Sequence, residues 1–90
     1  MGDPQELLKK ARRNRFGWKP RDLRNLYEGF GFLIRSGKGS HQVVSHPKYP
    51  DLRATYKDHG NDELPPAYIK TAVDRIDTLL EREKGVTKDE

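Results

Sequence analysis

His41 closes the run Arg35-Ser36-Gly37-Lys38-Gly39-Ser40-His41, which lies between two short apolar segments. Its residue types could hold a phosphate and move a proton. Lys38 supplies a point charge, Ser40 a hydroxyl, and Gly37 and Gly39 can adopt positive φ and turn backbone N–H groups toward an anion. Glycine is equally what an ordinary tight hairpin needs, so the turn alone leaves both readings open. It is not a nucleotide-binding P-loop, because Lys38 is followed by glycine where Ser or Thr is required. Histidine gives or takes a proton near neutral pH, which suits cleavage of RNA by attack of its own 2′-hydroxyl. That route needs no metal.

The other two histidines are less well placed. His46 follows His41 by five positions, so on a regular strand the two rings face opposite ways; His46 reads as structural. His59 falls in a loop after a third strand and could approach His41 if that strand pairs beside the hairpin. The chain has no cysteine. Disulfide and thiolate chemistry are excluded, a zinc site would rest on three histidines and carboxylates, and no metal or cofactor is expected.

These residues need elements to hold them. Asp3-Pro4-Gln5-Glu6 has the cap, proline and acidic residue of a helix start, predicting a helix over 4–15 with a narrow apolar edge at Leu7, Leu8 and Ala11. A second helix, 20–30, carries Leu23, Leu26, Tyr27 and Phe30 at helical spacing and ends at Gly29 and Gly31. Strands follow at 32–35 and 41–46, the second stopped by Pro47. Residues 52–57 alternate, with Leu52, Ala54 and Tyr56 on one face and Arg53, Thr55 and Lys57 on the other. Pro65-Pro66 opens a helix to about residue 82 with a stripe of Ile69, Ala72, Val73, Ile76, Leu79 and Leu80, closed by Gly85.

The order α-α-β-β-β-α predicts an α+β fold: a three-stranded antiparallel sheet packed by two helices on one face, with an extra N-terminal helix at the edge. One domain over residues 1–84 is expected, with 1–19 an N-terminal extension, 20–82 the core and 85–90 a disordered tail. Only 32% of the 90 residues are apolar, so the core must be small. No run of about 20 apolar residues exists to span a bilayer and no signal-peptide core is present, so a cytoplasmic protein with no membrane partner is expected.

The formal charge of +4 is unevenly spread. Residues 1–57 hold 13 Lys and Arg against 5 Asp and Glu, or +8; residues 58–90 hold 5 against 9, or −4. A positive field around the glycine turn fits a polyanion, and nucleic acid is the commonest. Arg35, Lys38, Arg53 and Lys57 are the candidate phosphate contacts.

Gly31-Phe32, then Lys38-Gly39-Ser40-His41, His46-Pro47, the third strand, His59, Glu63-Leu64-Pro65 and a closing amphipathic helix resemble the HicA toxins of bacterial and archaeal toxin-antitoxin modules. The resemblance spans roughly residues 20–82. It implies a double-stranded-RNA-binding-like fold, endoribonuclease activity on mRNA dependent on His41, and a HicB-like antitoxin as partner. On that reading Gly39 and Ser40 position the scissile group and His59 is the candidate second proton carrier. The alternative is a non-catalytic RNA-binding module of the same fold, gripping RNA by phosphate and 2′-hydroxyl contacts.

Overall fold

The computed structural model describes residues 3–88. Its elements are α1 (Pro4–Arg13), α2 (Pro20–Gly29), β1 (Leu33–Ser36), β2 (His41–Ser45), β3 (Ala54–Lys57) and α3 (Pro66–Lys88). The strands form an antiparallel sheet in the order β1-β2-β3, with Arg35 opposite Val43 and His41 opposite Lys57. Helix α2 packs against β1 and α3 against β3, giving the expected α+β architecture.

Local chemistry fixes the element ends. The Asp3 carboxylate accepts from the Gln5 N–H at 3.3 Å, and Pro4 occupies the first turn of α1. The helix stops at Arg13, two residues short of the expected end, because the Asn14 side chain accepts from Phe16 N–H at 3.0 Å and turns the backbone away. Gly31, at φ +88°, ends α2, with the Phe32 N–H bonded to the Tyr27 carbonyl. Gly29 is the last residue of α2. It remains helical, and a Cβ there would lie 2.8 Å from the Pro4 ring, so its bare Cα seats the start of α1.

Helix α3 also departs from expectation, continuing through Gly85 to Lys88 where a disordered tail was predicted from 85. A single helical glycine costs only about 1 kcal/mol relative to alanine, and no proline follows to stop propagation. Residues 89 and 90 of that expected tail lie outside the described residues.

Helix α1 is not an appendage at the sheet edge. It packs on α2 and α3, and Leu8 and Ala11 are buried among core residues that include Trp18, Leu23, Leu26, Tyr27, Val44, Tyr56, Ile69 and Ile76. Arg12 adds a two-point contact to Asp77 of α3, 2.6 Å at its shorter arm. The loop after β2 is tied to α3 in a similar way. Arg82 binds both Asp51 oxygens at 2.9 and 2.7 Å, and Glu83 accepts from Tyr49 Oη at 3.0 Å and Lys48 Nζ at 3.2 Å.

The Arg82 guanidinium holds the Asp51 carboxyl below the usual aspartate range, and the Tyr49 hydroxyl, then the Lys48 ammonium, lower Glu83. Carboxylates depressed on folding stabilise at neutral pH, and the contribution is lost as pH falls through their folded-state values. Exposed pairs contribute little. The expected result is a small drop in melting temperature for Asp51→Asn near neutral pH that vanishes once acid protonates the Asp51 carboxyl.

Candidate active site on the open sheet face

Strand alternation sorts the sheet into two surfaces. Val44 and Tyr56 are buried beneath the helices, with Ile34 and Ala54 partly buried beside them. The rows between point the other way: Leu33 and Arg35 from β1, His41, Val43 and Ser45 from β2, Thr55 and Lys57 from β3. None of these is buried, and Leu33 is 50% exposed. This open face brings Arg35, His41 and Lys57 together, with His41 and Lys57 direct cross-strand partners. Arg53 lies exposed one residue ahead of β3, its carbonyl held by Arg75 Nε at 2.8 Å.

The β1–β2 connection fixes the catalytic candidate. Gly37 N–H donates to the His41 carbonyl at 2.7 Å, and His41 N–H donates to the Lys38 carbonyl at 3.1 Å. Gly39 has φ +59° at the first central position, while Ser40 keeps a negative φ, the pattern of a type II′ hairpin turn. Gly37 does not use the positive φ open to it. The turn is therefore a hairpin by construction. What it adds is a contact to the imidazole, whose Nδ1 lies 3.1 Å from the same Lys38 carbonyl. A carbonyl oxygen only accepts, so the contact is a hydrogen bond in the tautomer that carries its proton on Nδ1, and that tautomer has its lone pair on Nε2. One backbone oxygen thus closes the turn and lies within hydrogen-bond reach of the exposed imidazole.

Gly39→Ala tests that coupling. Nothing lies within 4 Å of a Cβ there, so the cost is backbone strain alone, about 1–2 kcal/mol. The expected outcome is a lower denaturant midpoint, together with a change in the His41 ring resonances as the Lys38 carbonyl shifts. Ser40 contributes through its backbone, since its carbonyl accepts the Asp58 N–H at 2.8 Å and prolongs the β2–β3 pairing.

The remaining histidines separate clearly. His46 is 8% exposed, edge-on to Phe32 at 4.9 Å between ring centres, with Tyr49 5.5 Å away. Its Nδ1 accepts the Lys48 N–H at 3.1 Å. It is a packing residue on the side away from His41, as the odd spacing predicts. His59 is exposed in the turn beyond β3 and borders a pocket of about 250 Å³, shared with Lys57, Leu64, Pro65 and Tyr68, that His41 does not line. Tyr56, buried under the sheet, has its hydroxyl pushed up to about 12 by burial and stays protonated at neutral pH.

Among the described residues no three His, Asp or Glu side chains gather as metal ligands, and no helix is long and apolar enough to cross a membrane. The site residues that sequence reading passed over are Leu33, Thr55, Asp62 and Tyr68. Tyr68 carried no signal of its own, since it precedes the α3 stripe by one position and comes to share a pocket with Lys57 only through the packing of α3 on β3.

Fold and site together define a small α+β domain with an open, basic, histidine-bearing sheet face. No protein-family model matches the chain, and no curated protein or solved structure does.

Proposed function

We propose that this protein is an endoribonuclease acting on mRNA without a metal, the toxin of a HicA/HicB-type module. The observation that carries the proposal is the placement of His41: an exposed imidazole whose Nδ1 lies 3.1 Å from the Lys38 carbonyl, which leaves Nε2 as the nitrogen open to substrate, directly across the strands from Lys57 and on the same face as Arg35. Nε2 takes the proton of the RNA 2′-hydroxyl, O2′ attacks the adjacent phosphorus, and the bond from phosphorus to O5′ breaks. The departing O5′ takes a proton from water. The products are a 2′,3′-cyclic phosphate and a 5′-hydroxyl end. Lys57, Arg35, Lys38 and Arg53 offset the phosphate charge. Gly39 acts by holding the turn and Ser40 by anchoring β3. His59 lies in a neighbouring pocket and is the second residue to test for proton transfer.

The resemblance to the HicA toxins supports the choice of mRNA and of a HicB-like antitoxin, which would cover this face, and action on mRNA in the cytoplasm belongs to the same proposal. The deciding experiment compares wild type and His41→Ala on a labelled RNA in the presence of EDTA. Cleavage by wild type alone, ending in a cyclic phosphate, is the expected result. Loss of wild-type activity in EDTA counts against the histidine route. Equal binding without cleavage by either protein leaves a non-catalytic RNA-binding module, and no binding at low salt leaves neither.

The logarithm of RNA affinity should fall linearly with the logarithm of salt concentration. Lys57→Gln removes one phosphate contact and is expected to reduce that slope by about 0.7, the single-strand value per charge. Fluorescence anisotropy at several salt concentrations measures it.

A further inference from the structure

The pocket beyond β3 differs in chemistry from the basic face beside it. Leu64, Pro65 and the half-buried Tyr68 ring give it apolar walls, while Asp62 and Glu63 bring carboxylates. Tyr68 is braced edge-on against the buried Tyr56, ring centres 6.5 Å apart, and Glu63 Oε2 is held by the Gly17 N–H at 2.9 Å. Asp62 is exposed and enters no ion pair among the described residues. Lys57 belongs to both places, lining the pocket and standing opposite His41 across the strands.

We propose that this pocket receives one unstacked nucleobase of the bound RNA, next to the phosphate held between His41 and Lys57, and favours the amino-bearing bases adenine, cytosine and guanine over uracil. The proposal rests on the RNA-cleavage reading and deepens it by naming what sets the cleavage preference. Directly opposed residues in an antiparallel pair have Cβ atoms about 4.5–5.5 Å apart, so a phosphate touching His41 also touches Lys57. The adjoining nucleoside then lies at the pocket that Lys57 lines. Single-stranded RNA is read by stacking bases on aromatic rings and hydrogen-bonding their edges, and Tyr68 with the two carboxylates supplies both parts. The pocket's volume of about 250 Å³ lies below the range of drug-sized sites and suits a single base. An ionised carboxylate only accepts hydrogen bonds, so it rewards an exocyclic amino group. Uracil offers one ring N–H flanked by two carbonyls, which the carboxylates repel.

The test uses the full chain and two readouts. DNA strands carrying a single ribonucleotide, followed in turn by each of the four bases, report cleavage preference. The four nucleoside 3′,5′-bisphosphates, titrated against labelled protein, report binding through the amide resonances of Leu64 and Tyr68. Cleavage beside adenine, cytosine or guanine is expected to exceed that beside uracil by about tenfold. Asp62→Asn, a surface change that leaves the fold intact, should erase most of this preference. Tyr68→Leu should weaken bisphosphate binding roughly fivefold to a hundredfold.

His41-dependent cleavage at equal rates beside all four bases, or bisphosphates that shift neither amide, overturns the base pocket and leaves the nuclease reading in place. Absence of cleavage by wild type overturns the nuclease reading instead. The titration then decides the pocket by itself: stronger shifts with the amino-bearing bases uphold it, and no shift overturns it.

Discussion

His41→Ala is expected to slow RNA cleavage by about a hundredfold to ten-thousandfold, the usual contribution of a positioned acid-base group. RNA binding should change little, because the proposed phosphate contacts at Arg35, Lys38, Arg53 and Lys57 are untouched by the substitution. The fold is not at stake: the His41 ring is exposed and its one hydrogen bond runs to a turn carbonyl that the His41 backbone N–H also occupies. Surface replacements of this kind shift stability by about 0.5 kcal/mol or less. Single-turnover cleavage, anisotropy binding and a denaturant melt on the same two proteins separate chemistry from binding and from folding. A His41→Ala protein that melts like wild type and still cleaves at the wild-type rate removes His41 from the mechanism. His46→Ala should behave oppositely, losing stability through the Phe32 and Tyr49 ring contacts.

The largest effect on folding is expected from Trp18→Ala, about 3–5 kcal/mol of destabilisation. Trp18 is 2% exposed and joins three segments at once. Its indole Nε1 donates to the Asn14 carbonyl at 2.9 Å, where α1 ends, and its own carbonyl accepts the Leu64 N–H at 2.7 Å, where the chain enters α3. Lys10 lies over the ring at 5.6 Å. Truncation leaves a cavity between α1 and the other helices and orphans the Asn14 carbonyl. Small domains hold about 5–15 kcal/mol in total, and one with so modest an apolar content has little to lose. Urea melts followed by far-UV circular dichroism should show a sharply lowered midpoint; an unchanged midpoint would mean that α1 is dispensable to the core.

The α1 result shows where sequence reading fell short. Leu7, Leu8 and Ala11 form a narrow edge that looks suited to peripheral docking, and residues 1–19 read as an extension to a 20–82 core. The structure buries that edge because Gly29 lets Pro4 approach α2 and Arg12 reaches Asp77. Neither partner is near α1 in sequence, so no local pattern could reveal the pairing. The misplaced end of α3 has a different origin. Gly85 is a helix stop only when the chain adopts the left-handed turn there, and propagation outweighed that option.

Sequence by itself determined what periodicity and backbone chemistry control. The alternation of 52–57 fixed which side of β3 faces water, odd spacing put His41 and His46 on opposite sides, and the Lys38-Gly39-Ser40-His41 step specified a tight turn ending in a histidine. Each follows from the two-residue repeat of a strand or from the conformational freedom of one glycine, and neither needs a distant partner. Only the tertiary structure decided that His41 stands opposite Lys57 and that Tyr68 closes a pocket that Lys57 also lines. Those depend on strand register and on how α3 packs against β3. Both are fixed by the burial of apolar faces contributed from the whole chain, not by residues at the site.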